Sequence, residues 1–158
     1  MLFLLFLYKI RSYPTCESKE IDIPAGTTVI KDFQYSFCEN YIGNLIIPNS
    51  VKSIGLYAFY KCSGLTGSLI IPESVEFIGD SAFENCYGFE GELKLSNSIK
   101  KIGDSAFYSC SSFTGDLIIP KGIDTIPSNI FCDCFGFNGE LQMSNNIKNI
   151  QEKAFYGC

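Results

Sequence analysis

From Ile21 onward, apolar and polar positions follow a pattern that returns every 24 residues. The stretch from Leu69 to Glu92, LIIPESVEFIGDSAFENCYGFEGE, shows it best. Shifted by one period it falls on LIIPNSVKSIGLYAFYKCSGLTGS (45–68) and on LKLSNSIKKIGDSAFYSCSSFTGD (93–116). Positions 1 and 3 of the unit are always apolar (Leu69/Ile71, Leu93/Leu95, Leu141/Met143), while position 2 varies (Ile70, Lys94, Gln142). That alternation predicts a short strand with one face inward. Pro24, Pro48, Pro72 and Pro120 end the strand, because proline has no N–H to donate to a continuing ladder.

Two more inward columns follow, Val51/Val75/Ile99/Ile123/Ile147 and Ile54/Ile78/Ile102/Ile126/Ile150. Gly55, Gly79 and Gly103 mark the next bend. Asp80 and Asp104 are expected to cap a single helical turn that faces Ala82–Phe83 and Ala106–Phe107 inward. A cysteine comes next, at 38, 62, 86, 110, 134 and 158, and then Leu65/Phe89/Phe113/Phe137. A glycine (43, 67, 91, 115, 139) precedes the following strand, where it supplies a positive φ or a close backbone approach.

A fixed period of this length marks a solenoid, in which each repeat is one turn of a coil and contacts only its neighbours. The repeats run 21–44, 45–68, 69–92, 93–116, 117–140 and 141–158, the last of them partial. The first is degenerate, with Thr27, Gln34 and Tyr35 at positions that are more apolar later, as a terminal coil allows. The last stops at Cys158 with no polar cap, which reads as a fragment or as a coil that something else covers. Residues 1–20 lie outside the repeat. Their apolar run, Leu2 to Tyr8, is far too short for a bilayer span of about 20 residues. As a signal peptide it has a minimal apolar stretch, no basic residue before it and no small-residue cleavage site. The other reading is an apolar cover over the open end of the first coil.

The combined pattern L-x-I-P-x-S-V-x-x-I-G-x-x-A-F-x-x-C-x-x-L/F resembles the BspA-like leucine-rich repeat of surface proteins from bacteria and unicellular eukaryotes. The match is close over 45–158 and loose over 21–44. This unit is one residue longer than the usual one, with the addition between Leu65 and Leu69. The resemblance implies a repeat solenoid: a right-handed leucine-rich-repeat coil of short parallel β-strands with single helical turns, about six coils in all. It also implies adhesion or protein recognition at a cell surface, and it carries no catalytic residues.

Composition narrows the function. A net charge of −5 with no basic stripe speaks against nucleic acid and against an anionic membrane surface. The chain has no His, which removes the commonest general base and the commonest metal ligand together. Asp80, Glu84, Glu90, Glu92, Asp104 and Asp116 fall at outward or turn positions and read as solvated surface. No enzyme activity and no cofactor are expected. Cys132-x-Cys134 is the only close cysteine pair. A zinc site there would need Cys110 and Cys158 to complete four ligands, and none is expected.

The cysteine column reads as a slot for a small, soft, buried side chain. It should be mostly reduced. Stacked coils hold equivalent residues ~4.7–4.9 Å apart with parallel Cβ vectors, whereas bonded Cβ atoms sit near ~3.8 Å. Cys16 with Cys38 is the expected exception. No N-x-[ST] acceptor occurs, so N-glycosylation is not expected. Tyr60, Tyr108 and Tyr156 recur on the outer turn side, as a contact stripe or as shielding of coil edges.

Position 2 of each strand points outward because its neighbours point in. That column, Asp22, Ile46, Ile70, Lys94, Ile118 and Gln142, is the candidate protein-binding face. Ile46 and Ile70 are adjacent in the stack and form an apolar contact patch, or simply reflect strand propensity. The expected function is a non-enzymatic protein-binding or adhesion module of a cell-surface leucine-rich-repeat protein. Its partner would be a protein of a host or extracellular-matrix surface. The alternative is a structural or degenerate fragment of a longer repeat protein with no binding of its own. The location is the cell surface or secreted if the N-terminal segment is a signal, and cytoplasmic if it is not.

Overall fold

The structure, a computed structural model, describes residues 20–158. Residues 1–19, and with them the choice between signal and cover, lie outside the described residues. The described chain winds as a parallel-strand solenoid of about five turns. The predicted strand is present in four coils as a ladder two residues wide: Leu69–Ile70 pairs with Leu93–Lys94, and Leu117–Ile118 with Leu141–Gln142, always 24 residues apart. In the two coils before them no strand forms at Asp22 or Ile46; the pairing falls earlier, between Gly43–Asn44 and Leu65–Thr66. The Ile71 N–H donates to the Lys94 carbonyl at 2.9 Å, and Pro72 then closes the strand into a turn through the Val75 N–H.

The longest sheet lies one side further on, where only an inward column is expected. Val29–Ile30, Ser53–Ile54, Phe77–Ile78 and Lys101–Ile102 form four parallel strands, and Thr125–Ile126 pairs with Asn149–Ile150. The inner residue of each pair up to Ile126 is buried. Beside this sheet the preceding position carries Lys52, Glu76, Lys100, Asp124 and Lys148, so charges alternate in sign from coil to coil. Glu76 pairs with Lys100 and Asp124 with Lys148. Such exposed pairs are screened by solvent and add little to stability.

The helical turn expected after Asp80 and Asp104 is not formed; no helix occurs among the described residues. Three linked turns take its place. In the second coil, Ala58, Tyr60 and Cys62 donate N–H to the carbonyls three residues back, Gly55, Tyr57 and Phe59. The residues between them, Tyr57, Phe59 and Lys61, donate instead to Asp80, Ala82 and Glu84 of the next coil, at 2.8–3.0 Å. A helix would keep every one of these bonds inside its own turn. Here the neighbouring coil offers axial partners, and half of the amides take them. The backbone pays with positive φ at two positions per coil, such as Ser81 (52°) and Asn85 (62°). Asp80 serves this stacking as well: its Oδ1 accepts the Asp104 N–H at 3.1 Å.

Close stacking also explains the bend glycines. A Cβ on Gly79 would stand 2.6 Å from the Leu56 nitrogen and 2.7 Å from the Gly55 carbonyl carbon. The corner glycines divide between the two expected reasons: Gly43 has φ +92°, whereas Gly91 abuts Ser68 and Gly67 of the coil before it.

Inside the coil the side chains form columns. Phe59, Phe83, Phe107 and Phe131 are fully buried and stack face to face at 5.1, 5.5 and 5.6 Å between centroids. Phe89, Phe113 and Phe137 form a second stack. Rings in such offset stacks gain about 0.5–1.5 kcal/mol per pair beyond their area burial.

Candidate functional site

The cysteine column is a structural device. The Sγ of Cys62, Cys86, Cys110 and Cys134 each donates to a main-chain carbonyl 27 residues back, Tyr35, Phe59, Phe83 and Phe107, at 2.9–3.0 Å. Burial pushes the Cys62 thiol up to about 12, and those of Cys86 and Cys110 well above the ordinary range. These groups are protonated donors at neutral pH. Cys62, Cys86, Cys110, Cys134 and Cys158 are free, as the spacing argument expects, and Cys132, outside the column, is free as well. Cys38 is disulfide-bonded, and its expected partner, Cys16, lies outside the described residues. Among the described residues no group of three or more His, Cys, Asp or Glu is placed to hold a metal ion.

All six residues of the expected binding column, Asp22, Ile46, Ile70, Lys94, Ile118 and Gln142, are exposed. Ile46 is 74% exposed, Ile70 55% and Ile118 50%. The structure widens this column into a face. Residues two positions earlier share the outward direction, as alternation in a strand requires: Asn44, Glu92, Asp116 and Glu140 are exposed beside them. The Lys94 ammonium reaches the Glu92 carboxylate at 2.8 Å across the two columns.

Two shallow clefts flank Ile46. Asp22, Ile42, Asn44, Ile46 and Pro48 line one, and Asn44, Ile46, Ser68, Ile70 and Pro72 line the other. Ile42, 54% exposed, thus joins Ile46 and Ile70. The strand column alone does not reveal it. Its signal is the same alternation continued backwards through the corner.

The turn side offers a different arrangement. Phe33 stacks on Tyr57 at 5.1 Å, while Tyr60 meets Tyr57 and Phe37 edge-on at 5.2 and 5.1 Å. The Lys61 ammonium sits over the Phe37 and Tyr60 rings. The tyrosines named from the sequence do not form a stripe. Glu84 and Cys132 interrupt them, and Tyr108 stands beside the Asp133 carboxylate, which raises its phenol above the usual range.

Short parallel strands stacked in register, closed by turns around aliphatic and aromatic columns, define a leucine-rich-repeat solenoid with an open strand face. The chain belongs to the BspA type leucine rich repeat family, whose model matches residues 28–158 in 6 copies. No curated protein matches it. Among solved structures it is similar to a leucine rich cell surface protein from Faecalibacterium prausnitzii, with 25% identity and a TM-score of 0.72. That match covers 89% of this chain and 38% of the other, so the chain spans well under half of that relative. It also shares the fold of the T. pallidum leucine rich repeat protein, with 19% identity, a TM-score of 0.63 and coverage of 84% and 71%. Among the described residues no helix is long and apolar enough to cross a membrane.

Proposed function

We propose that this chain is a non-enzymatic protein-binding module of a cell-surface leucine-rich-repeat protein. It acts through the strand face that carries Asp22, Ile46, Ile70, Lys94, Ile118 and Gln142. The observation that carries this reading is that Ile46 and Ile70, both exposed, line one cleft of the strand face. Adjacent large apolar side chains left in water mark contact surfaces more often than isolated ones do. The likeness to a cell-surface protein supports the location. The absence of chemistry is supported by what the carboxylates do. Asp32, Asp80, Asp104 and Asp116 each accept an amide N–H of the next coil, so they serve the stacking.

The test is surface plasmon resonance of the full chain against a set of extracellular-matrix and host-surface proteins, beside the Ile46→Thr/Ile70→Thr variant. Threonine keeps the β-branch that suits the strand and removes much of the apolar surface. The wild-type chain should bind at least one member of the set, and the variant should bind it about tenfold or more weakly. Equal binding by both places the site elsewhere.

A further inference from the structure

The strand face is electrostatically distinct from the rest of the molecule. Its outward positions hold five carboxylates, Asp22, Glu90, Glu92, Asp116 and Glu140, against one cation, Lys94. Of the described residues, 20–158, 16 are acidic and 9 basic, so setting these aside leaves eleven and eight. This one face therefore carries a net −4 of the −7 of the described residues, so the fold gathers more than half of the negative charge on one side. It is also unevenly placed along the axis. The corner-to-strand segments that expose Ile42, Ile46 and Ile70 carry no charge at their outward positions (Ile42, Asn44, Ile46, Thr66, Ser68, Ile70). The equivalent segments that follow them in the stack carry Glu90, Glu92, Asp116 and Glu140, and Asp22 stands before them.

We infer that the strand face receives a cationic polypeptide segment, with an apolar anchor seated on Ile42, Ile46 and Ile70 and Lys or Arg side chains lying over Glu90, Glu92, Asp116 and Glu140. This rests on the protein-binding reading above and adds the chemistry of the partner. The apolar end supplies contact area that does not depend on salt. The acidic end supplies orientation and a long-range attraction, which is screened beyond about 8 Å at physiological ionic strength. Anionic partners, nucleic acid and acidic lipid alike, are repelled by the same face.

Three synthetic peptides of equal length test it: a leucine block followed by a lysine block, the same peptide with glutamate for lysine, and the same with serine for leucine. Binding to the full chain is read by fluorescence anisotropy at low and high salt. The leucine–lysine peptide should bind, should weaken about tenfold at high salt, and should exceed both counterparts about tenfold. Ile46→Thr/Ile70→Thr and Glu90→Lys/Glu140→Lys should each weaken it by a similar factor. Neither Glu90 nor Glu140 lends its carboxylate to the coil stacking, and circular dichroism checks that both variants keep their fold. Equal binding of the glutamate peptide, or indifference to either double variant, overturns the inference. If no peptide binds while a surface protein still loses affinity on Ile46→Thr/Ile70→Thr, the inference falls and the strand face remains the site.

Discussion

The thiol of Cys110 donates to the main-chain carbonyl of Phe83 at 3.0 Å, reaching 27 residues back into the preceding coil. The same carbonyl accepts the Cys86 N–H that closes a turn of its own coil. One oxygen thus joins a turn to its neighbour, and the contact recurs in successive coils. Replacing Cys110 with Ala removes the axial bond and leaves a small void, at a cost of about 1–2 kcal/mol. Phe107→Ala removes a ring stacked on both sides and should cost about 3–5 kcal/mol. Guanidinium unfolding of both variants measures the difference. Equal and negligible losses would mean that the columns do not hold the coils together.

Alkaline pH should unfold this protein early. Burial raises the folded-state thiols, with Cys62 at about 12, above the ~8.5 of an unfolded chain. Their contribution is fully present below about 8.5 and is lost as pH rises through the folded values. Each buried thiol should cost about 1.4 kcal/mol per pH unit above that onset. Cys62, Cys86, Cys110 and Cys134 lose it together. Unfolding free energies at a series of pH values check the slope, and Cys110→Ala should make it shallower. At pH 8 a thiol reagent should label Cys158, in the exposed last coil, well before the four buried thiols.

Much of this was legible in the sequence, and the reasons for the rest are physical. The period, the inward columns and the reduced cysteines follow from repetition, because stacking identical units makes every column face its own kind. The turn after Gly79 misleads because Asp80, Ala82, Phe83 and Cys86 have the spacing of a capped helical turn. A helix satisfies its amides internally, and single-chain spacing says nothing of the axial carbonyls that the next coil supplies. A signal was present nonetheless. Asn85, Asn129 and Asp133 occupy positive-φ positions, and these residue types tolerate that conformation best. The four-stranded sheet through Ile30, Ile54, Ile78 and Ile102 was missed for a related reason. Two residues per coil are too few to show alternation. The charge of the strand face was hidden because its carboxylates are scattered along the chain and meet only when the coils stack.

Coil spacing should be set by backbone contact at the bend. Gly79→Ala drives a Cβ into main-chain atoms of the preceding coil and should cost about 2–3 kcal/mol. Gly43→Ala meets nothing within 4 Å and bears only its φ of +92°, a cost of about 1–2 kcal/mol. Thermal melts rank the two. The reverse order would show that conformational strain, and not coil contact, fixes these glycines.

Hydrogen–deuterium exchange of the full chain, alone and with a bound surface-protein partner, tests the proposed binding face most directly. Exchange should slow on binding at the strand face, in the segments around Ile42–Ile46 and Thr66–Ile70, and be unchanged on the turn side around Tyr57–Lys61. Protection confined to the turn side, with the strand face exchanging as before, would contradict the account.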